Sequence, residues 1–282
     1  MESFCSVKLL FPSFSELRYN SYKKKQSMFK EKNVVIQLDT KTVYSFMDSL
    51  VPIKKYVQKA KDLGYSHLGM MDVNNLYGAY HFLEEAESAG LQPLLGLELS
   101  LIKAEQELHL RLLALDSQGY RNLMKVSTLK MMGQKNWEDF QHLFKGLAVI
   151  VPAFDGVADL DLGLDFYVGV FPATPQQEFG RPTLPLHTVR YFDRGDLETL
   201  QMLRAIRENA SLREIGSLPN HEFLLAPDAL AGAFKETFPE SLANLEKLVR
   251  DVHYDINREL KLPRFNRERP AVEELRERSE AG

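Results

Sequence analysis

The stretch of sequence that decides the fold reads, from residue 67 to residue 100, HLGMMDVNNLYGAYHFLEEAESAGLQPLLGLELS. Residues 67–72 are a short apolar run typical of a buried strand. Asn75 is interpreted as the cap of an amphipathic helix that ends at Gly90, since Asn favours helix starts and Gly favours helix ends. Residues 93–100 form a second apolar run. The order strand, helix, strand predicts parallel strands covered by helices.

The same alternation extends in both directions from this unit. Before it, residues 34–38 are predicted as a strand, and a helix is predicted from Pro52 to Gly64. After it come a helix over 118–132 and four further strands, at 108–115, 146–153, 166–171 and 185–189. Seven strands in sequence favour a closed barrel. The sequence therefore predicts an α/β fold.

The chain divides into three parts by composition. Residues 1–33 are predicted to be a disordered basic leader, and residues 34–265 a barrel followed by helices at 195–209 and 239–252. Residues 266–282 are predicted to be a linker and the cut-off start of a further domain. The leader lacks the apolar core of a targeting peptide, so it is interpreted as a non-native start upstream of Met28.

Composition and charge exclude several classes of protein. The 282 residues are 44% hydrophobic and 26% charged, as in ordinary globular proteins, and no apolar run approaches the roughly 20 residues that span a bilayer. Cys5 is the only cysteine, which excludes an intrachain disulfide and favours a reducing, cytoplasmic compartment. The net charge is −4, with +4 on residues 1–33, which leaves −8 on the rest. A region with this negative charge is poorly suited to bind the phosphate backbone of DNA by itself.

Four segments, in this order and spacing, resemble the PHP (polymerase and histidinol phosphatase) domain of bacterial DNA polymerase III alpha subunits. They are LDTKTVYSFMD at 38–48, MDVNNLYGA at 71–79, PLLGLE at 93–98, and HLRLLA at 109–114 with GYRNL at 119–123. The resemblance implies a distorted (β/α)7 barrel of the PHP type at the N-terminus of a polymerase subunit.

The resemblance also implies a metal site, from which this sequence departs. Active members of the family hold up to three divalent metals with nine residues, mostly His and carboxylates. Three of those positions keep a matching residue, namely Asp48, Glu98 and His109. Six have changed, namely Asp39, Lys41, Val73, Ala153, Thr188 and Arg190. Asp72 remains in the pair that is now Asp72-Val73.

The substituted side chains favour loss of the metals. Val73 and Ala153 offer no lone pair, and the cations Lys41 and Arg190 would compete with a metal ion for the same acids. We therefore predict no metal and no catalytic residue in this chain. The predicted arrangement is a single polar cluster with a neutral, hydrogen-bonding His109, in which Lys41 and Arg190 face Asp39, Asp48 and Glu98.

Three functions stay open on the sequence alone. The first is an inert PHP scaffold of a polymerase that makes DNA with Mg²⁺ held outside this chain. Its expected partners are the palm, thumb and fingers of the same subunit, other replisome subunits and a proofreading exonuclease, with DNA contacted only through the full-length enzyme and no membrane. The second is an active metal-dependent phosphoesterase or 3′-5′ exonuclease that uses Asp39, Asp48, Glu98 and His109. The third is a free-standing interaction module.

Overall fold

The computed structural model describes residues 35–250, 252–254 and 270–281. Its sheet has seven strands, the number that the sequence predicts, and all but the last lie close to the predicted positions. They are β1 (Ile36–Gln37), β2 (His67–Val73), β3 (Gln92–Lys103), β4 (Gln106–Ala114), β5 (Leu147–Pro152), β6 (Tyr167–Val170) and β7 (Thr183–Pro185). They are hydrogen-bonded in sequence order from β1 to β7.

The strand directions differ from the all-parallel expectation. Strands β1 to β3 run parallel, and so do β5 to β7, but β4 is antiparallel to both of its neighbours. The reason is the connection between β3 and β4, a tight turn in which Ala104 and Glu105 both have positive φ. A turn this short reverses the chain, whereas a parallel pair needs a crossover of a dozen or more residues. The tight turn therefore sets the direction of β4.

The sheet curls until its first and last edges meet. Thr40 and Val189 form an isolated parallel bridge, in which Lys41 N donates to Val189 O (2.9 Å) and Val189 N donates to Asp39 O (2.9 Å). We call this contact the seam. Strand β7 itself ends at Pro185, earlier than the 185–189 predicted, so the seam lies beyond the strand. The distorted (β/α)7 barrel of the PHP type is confirmed.

The described residues also form nine helices. In chain order they are α1 (Ile53–Asp62), α2 (Ala79–Ala89), α3 (Ser117–Met131), α4 (Trp137–Phe140), α5 (Leu197–Glu208), α6 (Leu212–Ile215), α7 (Pro227–Lys235), α8 (Pro239–Val249) and α9 (Ala271–Ala281). Helix α1 begins just after Pro52, and α2 ends before Gly90 with its left-handed φ of 80°, as predicted. No helix among the described residues is both long and apolar enough to span a bilayer.

The predicted cap of α2 is wrong. Helix α2 begins at Ala79, and its N-cap is Gly78, without a side-chain cap. Asn75 caps the preceding turn instead, because its Oδ1 accepts from Tyr77 N (3.1 Å) and its Nδ2 donates to Tyr44 O (3.0 Å). Asn side chains serve such turns as readily as helix starts. The turn ties the β2–α2 connection to the loop after β1.

Gly69 sets how closely β1 can approach β2. A Cβ on this residue would lie 1.8 Å from Leu38 O, a distance that only a backbone shift could relieve. Because Gly69 has no side chain, Leu38 just after β1 can lie against it on the neighbouring strand. This close approach positions the two residues that follow Leu38.

Two predictions fall on residues that the structure does not describe. The leader over 1–33 and residues 266–269 of the predicted linker lie outside the described ranges. The helical start predicted within 266–282 corresponds to α9, which spans Ala271–Ala281.

Candidate functional site

The site predicted from the sequence lies where the barrel closes. Asp39 and Lys41 follow β1 and flank the seam, and Thr188 precedes it on the other side. Glu98 comes from β3 and stands directly opposite Arg111 of β4 in the strand register. The seam and the β3–β4 pair thus bring these side chains together inside the barrel.

Four of these side chains form a closed ring of alternating charge, which we call the inner ring. Its members are Asp39, Lys41, Glu98 and Arg111. Lys41 Nζ lies 2.6 Å from Asp39 Oδ1 and 2.8 Å from Glu98 Oε2. Arg111 completes it, with Nε 3.3 Å from Asp39 Oδ2 and Nη2 3.1 Å from Glu98 Oε2. Thr188 Oγ1 also donates to Asp39 Oδ2 (2.7 Å).

The inner ring is almost fully removed from water. Asp39 and Lys41 are completely buried, and Glu98 and Arg111 are only 7% and 6% exposed. Burial alone would raise the pKa of Asp39, but Lys41 and Arg111 outweigh it and lower that pKa to about 2. Burial opposes ionisation of Glu98 in the same way, and the same two cations shift its pKa well below the usual range. Two acids and two bases therefore stay charged and neutralise one another.

Arg111 is the member of the inner ring that sequence reasoning missed. The strand HLRLL at 109–113 alternates polar and apolar residues, so that His109 and Arg111 share one face. A charged residue on the same strand face as His109 could have indicated that Arg111 also belongs to the site. The prediction named His109 alone because the family resemblance assigns a role to that position.

Arg190 lies in a second group of charges, not in the inner ring as predicted. We call this group the outer cluster, and its members are Asp48, Arg190, Arg204, Arg207 and Glu222. Arg190 pairs with Asp48, and its Nε lies 3.2 Å from Glu222 Oε2. Arg204 Nη2 and Arg207 Nη1, both on α5, lie 3.1 and 3.2 Å from Asp48 Oδ1.

The backbone explains why the predicted single cluster divides in two. Leu50 N donates to Arg190 O (2.7 Å), which ties the loop that carries Asp48 to the residue just past the seam. Asp48 is thereby held beside Arg190, while Lys41 and Arg111 already neutralise the acids inside the barrel. The i, i+3 spacing of Arg204 and Arg207 on α5 was a signal for a shared partner, but the sequence does not indicate which one.

His109 is a peripheral group. Its side chain is 52% exposed, and its Nδ1 and Nε2 lie 3.7 Å from Glu98 Oε1 and 3.6 Å from Glu107 Oε1. The interaction with Glu98 raises the pKa of His109 above its ordinary value. These contacts differ from the neutral, cluster-forming role that the sequence predicts, because two carboxylates favour the charged imidazole.

The other predicted site residues serve the backbone. Asp72 is buried and accepts from Thr42 N (2.6 Å), Thr42 Oγ1 (2.7 Å) and Ser45 Oγ (2.6 Å), although burial still raises its pKa. Val73 N donates to the same Ser45 hydroxyl (3.1 Å), and Ala153 N donates to Gly169 O (2.8 Å). Asp72 therefore holds the loop after β1.

The arrangement does not fit the metals that the family resemblance implies. Lys41 Nζ sits between the two buried carboxylates that would have to ligate a metal ion, and a second cation, Arg111, contacts both of them. Within residues 35–250, 252–254 and 270–281, no three His, Cys, Asp or Glu side chains are grouped so as to hold a metal ion. A divalent cation at this place would meet two fixed positive charges.

Comparison with known proteins identifies the family. Residues 37–176 match the model of the PHP domain. The chain belongs to the PHP domain family. It is 44% identical over 248 residues to DNA polymerase III subunit alpha of Streptococcus pyogenes serotype M1, an alignment that covers 87% of this chain and 24% of that protein. The DNA polymerase III subunit alpha of Aquifex aeolicus is 34% identical over 110 residues, or 33% of this chain and 10% of that protein.

The PHP chain is thus similar to a small part of these relatives, since it spans about a quarter of the length of the streptococcal subunit. Among solved structures, a Bifidobacterium adolescentis protein provisionally assigned as a metal-dependent phosphoesterase matches with a TM-score of 0.38 and 12% identity. That match covers 64% of this chain and 85% of the other. It is too distant to bear on the function of this PHP domain.

Proposed function

We propose that this chain is the N-terminal PHP region of a replicative DNA polymerase III alpha subunit, and that it serves as a catalytically inert scaffold. The observation that carries the proposal is the inner ring. Lys41 Nζ contacts Asp39 and Glu98 at 2.6 and 2.8 Å, and thus stands in the place of a bound cation.

The contacts of the inner ring support a structural role. They join the residues after β1 to β3 and β4, and Thr188 adds the segment beyond β7. Buried ion pairs of this kind leave no open coordination position and no free general base, both of which hydrolysis would need. Removing either partner strands a buried charge, so the ring matters to the fold whether or not it ever touches a substrate.

The activity of the whole protein follows from its relatives as a further part of the proposal. In the intact subunit we expect DNA-templated DNA synthesis with Mg²⁺ held by carboxylates outside these 282 residues. The scaffold would pack against the palm, thumb and fingers of the same subunit, contact DNA only through them, and leave a surface for an exonuclease or other replisome subunits. We expect the protein to act in the cytoplasm.

Metal content tests the inert scaffold. The purified, tag-free chain should contain no stoichiometric zinc or manganese, and its melting temperature should not change when Mn²⁺ is added, because a ligand stabilises only the state that binds it. The matched control is Asp39→Asn, which removes an acid of the inner ring. A rise in the wild-type melting temperature with Mn²⁺ that is lost in this variant would instead support the metal-dependent phosphoesterase or exonuclease.

Primer extension tests the assignment to the alpha subunit. The 282-residue chain alone should incorporate no nucleotide, whereas an open reading frame that continues beyond Gly282 and includes this chain should encode a DNA-dependent polymerase. Incorporation by the chain alone, or a continued protein without polymerase activity, would contradict the proposal.

A further inference from the structure

An open groove runs along the outer side of α3. It has a volume of about 510 Å³ and lies between this helix and the short 3₁₀ turn Gln141–Leu143. Apolar side chains line it, namely Met124 and Leu129 of α3 and Leu143 of the turn. A groove of this size accommodates a few side chains of a peptide. None of its residues belongs to the inner ring or the outer cluster.

Positive charge borders the groove. Arg121 and Lys125 line it from α3, and His142 lines it from the 3₁₀ turn. In the part of the chain that the structure describes, none of the three forms an ion pair with a carboxylate, and the side-chain partner of Arg121 is the neutral Gln118 Oε1 (3.2 Å). By contrast, Arg250, the residue that follows α8, is paired with Glu246 of that helix. Arg121 and Lys125 are therefore cations at the groove that no carboxylate of the described residues neutralises.

The apolar surface continues beyond the groove along the same face of α3. Met124 and Met131, seven residues apart, are 42% and 52% exposed, and such a spacing places them on one side of a helix. Tyr77, which is 65% exposed, donates its hydroxyl to Met131 Sδ (3.0 Å) and so extends the stripe to the β2–α2 connection. Flexible methionines are common on surfaces that adapt to peptides.

We propose that the α3 groove binds an acidic peptide segment of a partner protein that carries bulky apolar side chains. The apolar side chains of the peptide would cover Met124 and Leu129, while its carboxylates would pair with Arg121 and Lys125. Charge complementarity selects this occupant, because a basic or neutral segment would leave the bordering cations unpaired. The site is independent of the proposed scaffold function.

Selection from a library of random peptides displayed on phage tests the proposal. With the full 282-residue chain as bait, the enriched peptides should combine Asp or Glu with Leu, Phe or other large apolar residues. A fluorescein-labelled copy of the most enriched peptide then serves as the probe in anisotropy titrations. Arg121→Glu and Lys125→Glu should each weaken its binding by about tenfold or more, and Met124→Ser by about fivefold.

The matched control is Lys54→Glu, which makes the same change of charge on the exposed first turn of α1, where an acid is tolerated. This variant should bind the probe like the wild type, and all four variants should keep the wild-type melting temperature. Binding should weaken as salt is added. The proposal is overturned if the enriched peptides lack acidic residues, if Lys54→Glu weakens binding as much as Lys125→Glu does, or if no peptide is enriched.

Discussion

The inner ring and the outer cluster contain the same kinds of side chain in different surroundings. The inner ring balances two acids against two bases and is almost completely buried. The outer cluster places three guanidinium groups around two acids, and its side chains range from 12% to 36% exposed. Solvent can screen the uneven charge of the outer cluster, whereas the inner ring must be neutral by itself. The comparison shows how burial dictates the charge balance of a polar cluster.

The largest expected effect comes from opening the inner ring. Lys41→Met should lower the free energy of unfolding by about 3–5 kcal/mol, because it leaves the buried acids Asp39 and Glu98 with Arg111 as the one remaining cation of the inner ring. Urea denaturation monitored by circular dichroism measures the loss, with Lys54→Met on the surface as the control. A loss below about 1 kcal/mol would mean that the inner ring is not a structural element.

The next largest effect is expected from acidification, which should change the stability provided by the inner ring and by the outer cluster in different ways. Asp39 and Glu98 have lowered pKa values, so their contribution to stability is present above the unfolded pKa values and is lost as the pH falls through the folded pKa values, which for Asp39 is about 2. For Asp39 this loss is on the order of 2 kcal/mol. Glu222 in the outer cluster has a pKa raised by burial, so protonation there relieves a cost.

The acid effect is measured by unfolding free energies from about pH 6 to about pH 3, a range that spans the unfolded carboxyl pKa values. The wild type should lose stability steadily on acidification, and Lys41→Met should lose much less, since its acids no longer have the same ionic partner. Equal pH dependence in the two proteins would contradict the assignment to the inner ring.

A smaller effect is expected from the outer cluster. Asp48→Asn removes the acid shared by Arg190, Arg204 and Arg207, and should cost about 1–2 kcal/mol, since partial exposure lets water and salt screen the three cations. Adding salt should reduce the deficit of this variant, but not that of Lys41→Met. Chemical denaturation with urea at two salt concentrations makes the comparison.

The smallest effect belongs to His109. Its raised pKa means that its pairing with Glu98 stabilises the fold below the unfolded histidine pKa and is lost as the pH rises through the folded value. Because the side chain is half exposed, His109→Gln should cost only about 0.2–0.5 kcal/mol at pH 5.5, and nothing at pH 9. A larger cost at the higher pH would point to packing instead of charge.

Sequence reasoning predicted the strand–helix order because each strand is a short apolar run and each helix has a clear end, as at Gly90. It did not predict the direction of β4, because that direction depends on the two-residue turn Ala104–Glu105. Neither Ala nor Glu is a residue type that indicates a positive φ. It placed Lys41 next to the acids because the family resemblance implies a metal ligand at that position. It missed Arg111 and Glu222, since cross-barrel contacts depend on register and loop path, which local patterns do not encode.

The seam joins parts of the chain that are far apart in sequence. The bond from Thr188 to Asp39 closes a loop of 149 residues, and the backbone pairing of Lys41 with Val189 lies at the same place. Loop-closure entropy opposes contacts between such distant segments, so the side-chain interactions at the seam have to offset that cost. The charged side chains at this junction therefore act as a latch between the first and last edges of the sheet, and their loss should free both edges at once.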